Sequence, residues 1–245
     1  MSAPVLRLEN VRKSFGSTEV LRGIDLDVGS HEVVALIGAS GSGKSTLLRT
    51  INLLEPLNDG QIWLSGVDIS APGVSADTVR ARIGVVFQHF NLFPHFSVLD
   101  NVTLASRHVH RISKADAEAR GLELLDRIGL ADQARSFPDR LSGGQQQRAA
   151  IVRAIATNPD VLLLDEITSA LDPELVTEVL DLVRDLKADG TTIVMATHEM
   201  AFARDVADRV VFLDHGVIAE QGTPDEVFGS PREPRTREFL SRFLG

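Results

Sequence analysis

Residues Gly38-Ala39-Ser40-Gly41-Ser42-Gly43-Lys44-Ser45 fit the spacing G-x-x-x-x-G-K-[ST]. Glycines at these offsets let successive backbone N–H groups turn inward around phosphate oxygens, where a β-carbon would collide. The apolar run at 33–37 just before it reads as a buried strand, and residues 45–54 just after it read as a helix. The positive N-terminal end of that helix would face the same anion. Lys44 has the reach for β- and γ-phosphates, and the Ser45 hydroxyl suits Mg²⁺. The expected chemistry is nucleoside triphosphate binding by residues 38–45 together with Thr46. A plain glycine-rich turn between strand and helix rarely carries Lys-Ser at this offset.

Residues 161–166, Val-Leu-Leu-Leu-Asp-Glu, are an apolar run ending in two carboxylates. A buried strand of this kind can set Asp165 beside the metal and Glu166 beside a water attacking the γ-phosphate. The same run is also what a strand entering a solvated acidic turn looks like; the phosphate loop favours the catalytic reading. A third stretch, Leu141-Ser142-Gly143-Gly144-Gln145-Gln146-Gln147-Arg148, sets Ser142 three residues before Gln145, a capping-box pattern that begins a helix. Its glycines again allow backbone close to a phosphate. Local physics alone is equally satisfied by a well-capped structural helix.

These groups need elements to hold them. Residues 5–8 and 20–28 read as strands, 60–69 as a hairpin around Ser65-Gly66, and 83–87 as a further apolar strand. Residues 97–105, 113–128 and 142–157 are helical patterns, the second opening with Ser113 three residues ahead of Asp116. From 161 onward strands (161–164, 191–196, 210–213) alternate with helices (173–187, 200–207), which predicts a parallel sheet flanked by helices. Thr223, Pro224 and Glu226 suit a cap, a first-turn proline and a reciprocal capping acid. The expected architecture is one mixed α/β domain over 1–245 with a helical insert at 89–157.

Composition sets outer limits. A chain of 245 residues, 43% hydrophobic and 24% charged, is long enough for a full core and is not a disordered one. A net charge of −9 opposes broad nucleic-acid binding through a basic surface. Absence of cysteine excludes disulfides, zinc–thiolate sites and thiol catalysis, and fits a reducing compartment. No apolar run approaches the ~20 residues of a membrane helix, and the first ten residues show no secretory pattern. If the protein works at a membrane, another subunit must span it.

The octet 141–148 closely resembles the signature sequence of ATP-binding cassette ATPases, and further family elements follow in order. Gln88 resembles the Q-loop glutamine, Ser169-Ala170-Leu171-Asp172 the D-loop, His198 the switch histidine, and Phe15 the aromatic ring set against adenine. On their own, Phe15 reads as core and His198 as structural. The resemblance covers essentially the whole chain. It implies a P-loop NTPase core with an N-terminal antiparallel β subdomain and an inserted helical subdomain. It also implies ATP and Mg²⁺ as cofactors, with Glu166, His198 and Gln88 catalytic and Ser45, Gln88 and Asp165 at the metal. Phe90-Asn91-Leu92-Phe93-Pro94-His95, Thr197-His198-Glu199-Met200 and the tail 220–228 resemble the ATPase subunits of polar amino-acid uptake systems. Two positions depart from the family pattern: Ala39 and Ile167 stand where proline is usual. Neither supplies a phosphate ligand through its side chain there, so the geometry is expected to survive while the rate is open to change.

The resemblance implies two copies, or paired ATPase subunits, that sandwich ATP head to tail. Each phosphate loop then faces Ser142, Gly143, Gly144 and Gln145 of the other subunit. Transmembrane permease subunits and, indirectly, an extracytoplasmic solute-binding protein are the implied partners, with no nucleic acid. The expected place of work is the cytoplasmic face of the cell membrane, and the expected task is import of a polar amino acid or related solute. An exporter or lipoprotein-release ATPase is the nearest alternative. Soluble cassette proteins of translation or repair usually carry tandem cassettes or a long coiled-coil insert, neither of which is visible. Gln88 to Phe96 crowd three phenylalanines and a leucine into a loop expected to couple the insert to the permease.

Overall fold

The computed structural model describes residues 3–242, so the expected domain limits at 1 and 245 lie outside the described residues. Strands β1 (Leu6–Phe15) and β2 (Thr18–Val28) form an antiparallel hairpin. Next come β3 (Val33–Ile37) and α1 (Lys44–Ile51), the phosphate loop between them. β4 (Asp59–Leu64) and β5 (Val67–Asp68) return to the hairpin and complete a four-stranded sheet of order β2-β1-β4-β5. A short helix, α2 (Ala76–Arg80), leads into β6 (Ile83–Val86).

Three helices separate β6 from the strand that pairs with it. These are α3 (Val98–His108), α4 (Lys114–Arg127) and α5 (Gly143–Ile155). Each begins at a serine that caps it: Ser97 accepts from Asp100 N–H, Ser113 from Asp116 N–H, and Ser142 from Gln145 N–H. The remaining strands and α-helices are β7 (Val161–Asp165), α6 (Pro173–Ala188), β8 (Ile193–Ala196), α7 (Met200–Val206), β9 (Arg209–Asp214), β10 (Val217–Gly222) and α8 (Pro234–Leu240). The second sheet runs β10-β9-β3-β8-β7-β6, parallel except for the β9–β10 pair.

Burial explains the apolar runs. Every residue of β3 and β7 is buried, because the parallel sheet is covered on both faces. Alternate β3 residues divide between two cores. Val33, Ala35 and Ile37 meet the helices α5, α6 and α7, while Val34 and Leu36 meet α1 and the antiparallel sheet.

The structure also departs from the sequence reading. β1 continues to Phe15 instead of stopping near Leu8, because Asn10 enters the left-handed region (φ 48°) and the register shifts between Leu8 and Val11. This bulge breaks the two-residue alternation. α2, β10 and α8 were not expected. α2 buries only Val79, β10 is an edge strand with no fully buried residue, and α8 is seven residues long. Phe15 is 46% exposed, so it is not the core residue that it would be on its own, and His198 is exposed as well. Thr223 and Glu226 cap the following turn reciprocally, at 2.8 and 3.3 Å.

Asn101 carries no motif signal, yet it fixes the phenylalanine-rich loop. It is fully buried in α3. Its Oδ1 accepts Phe93 N–H at 2.8 Å, and its Nδ2 lies 3.0–3.2 Å from the carbonyls of Phe93, Phe96 and Ser97. Asn101→Ala strands these buried groups, and leaving them unmade costs about 2 kcal/mol. Thermal unfolding of that variant should fall by about 4–8 °C; an unchanged midpoint would show that water replaces the amide at no cost.

Candidate functional site

The parallel register gathers the chemistry at one edge of the sheet. β3 ends at the phosphate loop, β7 at Asp165-Glu166, β8 just before His198 and β6 just before Gln88. In open α/β sheets ligands settle outside such carboxyl ends. Leu36 lies opposite Ala196, Ala196 opposite Asp165, and Val86 opposite Leu164. Gln88, two residues past Val86, therefore stands beside the end of β7 that carries the carboxylates.

Glycine is required at two points of the loop. Gly38 has φ 150°, and a β-carbon there would sit 2.2 Å from the carbonyl oxygen of Leu213 in β9. Gly43 adopts φ 109° as it opens α1, a conformation that side chains disfavour. Between them Ser42 is buried, and its hydroxyl has no hydrogen-bond partner. Lys44 is only 4% exposed, and its Nζ turns back to donate to the carbonyls of Gly38 and Ala39 at 3.0 and 3.3 Å. A buried ammonium held by weak neutral acceptors beside a glycine cradle fits a polyanion such as a triphosphate.

A chain of polar contacts crosses from this loop to the carboxylates. Lys44 Nζ is 3.6 Å from Glu166 Oε1, and His198 Nε2 donates to the same oxygen at 2.9 Å. Ser45 Oγ donates to Asp165 Oδ1 at 2.7 Å. Desolvation pushes the Lys44 pKa down, opposed by the negative charges of Glu166 and Asp165. Burial pushes Asp165 up, opposed by the Ser45 hydrogen bond and reinforced by the charge of Glu166. Two carboxylates thus face one buried ammonium, and desolvation still outweighs the Ser45 hydrogen bond and the charges of Arg49 and Lys44 at Asp165. A polyanion would give the lysine charged acceptors closer than Glu166, and a dication would relieve the aspartate.

The residues also fit Mg²⁺ through their donor types. Among the described residues no three histidines or carboxylates are grouped to hold a metal by themselves. A hydroxyl, a carboxylate and an amide oxygen, completed by water and substrate oxygens, are what this hard cation takes.

The expected residues divide into two groups. The phosphate loop, Asp165, Glu166, His198 and Gln88 share the sheet edge. Phe15 ends β1, with Lys13 Nζ 4.7 Å from its ring. It lies in the hairpin whose Val20 carbonyl would be 3.3 Å from a β-carbon on Gly43. The cap at Ser142–Gln145 stands apart from this group. Its polar contacts are internal: Ser142 Oγ accepts Gln145 N–H while Gln145 Oε1 accepts Ser142 N–H, which leaves the Ser142 hydroxyl proton free to donate. Its glycines pack close to Phe90, Leu171 and Leu175. Sequence reasoning missed Ser42 as a buried unpaired hydroxyl, because nothing in its position announces burial. A cleft of about 470 Å³ at the opposite end of the sheet holds the Arg127–Asp189 pair, Asp160 paired with Arg82, and Arg120 bonded to the Asn158 amide oxygen, with no glycine cradle or paired carboxylates.

Comparison with known proteins agrees with this geometry. The family described as ABC transporter matches residues 21–169. The arginine transport ATP-binding protein ArtM of Bacillus subtilis (strain 168) is 50% identical over 240 residues, covering 98% of this chain and 100% of the relative. The L-cystine transport system ATP-binding protein TcyN of Escherichia coli (strain K12) is 51% identical over 245 residues, 98% of each chain. The glutamine transport ATP-binding protein GlnQ of Geobacillus stearothermophilus is 47% identical over 98% of this chain and 99% of its own. Among solved structures, the ATP-binding cassette MJ0796, as a post-hydrolysis dimer bound to ADP and Pi, superposes with a TM-score of 0.80 at 34% identity. That match covers 89% of this chain and 98% of the other. With this fold, these strand-end groups and these relatives, the chain belongs to the ABC transporter family as an ATPase subunit similar to those of amino-acid transport systems.

Proposed function

We propose that two copies of this chain, or this chain and a paired ATPase subunit, bind and hydrolyse ATP head to tail to drive import of an amino acid. The observation that carries the reading is the unbroken polar line from the phosphate loop through Lys44 and Glu166 to His198, with Ser45–Asp165 beside it. The relatives transport arginine, cystine and glutamine at nearly equal identity, so the solute is assigned as an amino acid and no further.

In this reading the loop amides and Lys44 hold the β- and γ-phosphates, and Phe15 offers its exposed ring to the base. Ser45, Asp165 and Gln88 hold Mg²⁺, which when bound draws charge from the phosphate oxygens. Glu166 accepts a hydrogen bond from the attacking water and polarises it. The water oxygen then bonds to the γ-phosphorus as the bond to the bridging β–γ oxygen breaks; ADP leaves with that electron pair, and the water proton held by Glu166 passes to the released phosphate. His198 fixes the Glu166 carboxylate through its Nε2–H. The second subunit supplies Ser142, Gly143, Gly144 and Gln145, whose helix end and free hydroxyl proton add donors to that phosphate. Only the triphosphate can satisfy both halves, so closure follows nucleotide state.

No helix among the described residues is long and apolar enough to cross a membrane, so permease subunits at its cytoplasmic face complete the importer, together with an extracytoplasmic solute-binding protein. Support for a permease contact comes from the loop that Asn101 holds. Phe93 and Phe96 are 47% and 41% exposed and meet edge to face at 5.8 Å. Arg153 donates to Asn91 O at 2.7 Å, lies 5.9 Å from the Phe93 ring, and lines an adjoining groove of about 430 Å³ with Val85 and Val109.

Glu166→Gln retains shape but removes the charge that polarises water. Steady-state hydrolysis should fall at least ~10²-fold while ATP binding persists. Dimers trapped by MgATP should accumulate on size exclusion, and near-normal turnover would reject the assignment. Lys44→Ala should weaken ATP binding in calorimetry. Ser142→Arg should leave ATP binding to the isolated subunit intact yet abolish hydrolysis in its homodimer. Mixing these two variants should restore at most one composite site per heterodimer, and Ser142→Arg subunits unable to bind ATP would contradict a role across the interface. Phe93→Ala should keep the free subunit's basal hydrolysis, while detergent-solubilised permease binds it more weakly and solute-stimulated hydrolysis drops. Intact coupling would remove that side chain from the docking surface.

A further inference from the structure

Glu166 occupies a backbone state that its own side chain disfavours. Its φ is 48°, in the left-handed region, where a β-carbon crowds the following carbonyl. Non-glycine residues in such states cluster where the surrounding structure has a use for them. Three hydrogen bonds hold this one. Glu166 N–H donates to Ala196 O at 3.0 Å, while its carbonyl accepts both the Ser169 N–H at 3.1 Å and the Ser169 hydroxyl at 2.8 Å. Ile167 and Thr168 are 6% and 9% exposed, so the turn is also anchored by burial on its far side. The direction in which Cβ leaves the backbone follows from this state. That direction brings Oε1 to 2.9 Å from His198 and 3.6 Å from Lys44. An extended or right-handed Glu166 would carry its carboxylate away from both.

We propose that Ser169 is a positioning residue for hydrolysis: through its bond to the Glu166 carbonyl, its hydroxyl holds that residue in the left-handed state that aims the carboxylate into the site. The inference rests on the reading of Glu166 as the group that polarises the attacking water. Ser169 is exposed, so its side chain is not needed to fill the core, and its removal should act through the hydrogen bond. The Ser169 N–H bond would remain in Ser169→Ala, which limits the expected effect to what one hydroxyl contributes.

The test is single-turnover and steady-state ATP hydrolysis by the full-length subunit, with Ser169→Ala, Ser169→Thr, Glu166→Gln and the Ser169→Ala/Glu166→Gln double variant. Ser169→Ala should lower kcat roughly three- to tenfold, the range of one hydrogen bond, with the KM for ATP unchanged. Ser169→Thr keeps the hydroxyl and should recover most of that loss. In the Glu166→Gln background Ser169→Ala should cause no further fall, because the aimed charge is already gone. A kcat equal to the parent's, an equal fall in the Glu166→Gln background, or a loss traced entirely to weaker ATP-driven dimerisation on size exclusion would each overturn the inference. Normal turnover by Glu166→Gln would overturn the underlying reading and this inference with it. An inactive Glu166→Gln beside a fully active Ser169→Ala would overturn this inference alone.

Discussion

The parallel pairing of β8 between β3 and β7 is the constraint on which the site depends. Ala196, the last residue of β8, stands opposite Leu36 on one side and Asp165 on the other. Its carbonyl also receives the Glu166 N–H. A slip of one residue would shift a strand end by about 3.3 Å and exchange the faces of every side chain on it. Such a slip is resisted by two cores, because β3 and β7 bury every residue and β8 likewise. Packing far below the chemistry therefore sets the spacing between the phosphate loop and the carboxylates.

That spacing produces an edge where two carboxylates face a single buried lysine. Lys44 is buried with carbonyls for direct acceptors, and Asp165 is buried with a hydroxyl for its closest donor. Water would satisfy both better than the protein does. The arrangement persists because the sheet and the α1 terminus hold it, and the substrate completes what the fold leaves open. The same logic extends to the cap at Ser142–Gln145, where Ser142 and Gln145 satisfy each other and leave a hydroxyl proton and backbone donors at the helix end. In the proposed dimer each subunit carries one half-site for a triphosphate and another that adds to it from across the interface.

Much of this was legible in the residues. The runs at 33–37 and 161–164 are strands because both faces are buried, which removes any need for alternation. Ser113 and Ser142 open their helices as the capping spacing indicates, and Ser97 opens the helix read at 97–105 in the same way. The phosphate loop was legible because its glycines answer to steric demands that other residues fail. Other features depend on tertiary placement and left no local mark. The bulge at Asn10 interrupts the alternation of β1, and β10 is a half-exposed edge strand. Asn101 looks like any polar helix residue until the loop it holds folds over it. The left-handed Glu166 is equally silent, since nothing in Asp-Glu-Ile-Thr-Ser specifies a sign of φ.

The support beneath the phosphate loop comes from far along the chain. Gly38 lies against the carbonyl of Leu213, and β3 pairs with β8 and β9, whose residues are made some 160–175 positions later. During synthesis the glycine loop therefore leaves the ribosome long before its neighbours exist. At roughly 5–20 residues per second that interval lasts on the order of ten seconds or more. Through that time β3, with the hydrophobic faces of both cores on it, has no permanent partner. The nascent chain must keep an apolar strand from pairing wrongly until its last third emerges. Competence to hold nucleotide is then among the last properties the growing polypeptide acquires, although the motif responsible is among the first segments translated.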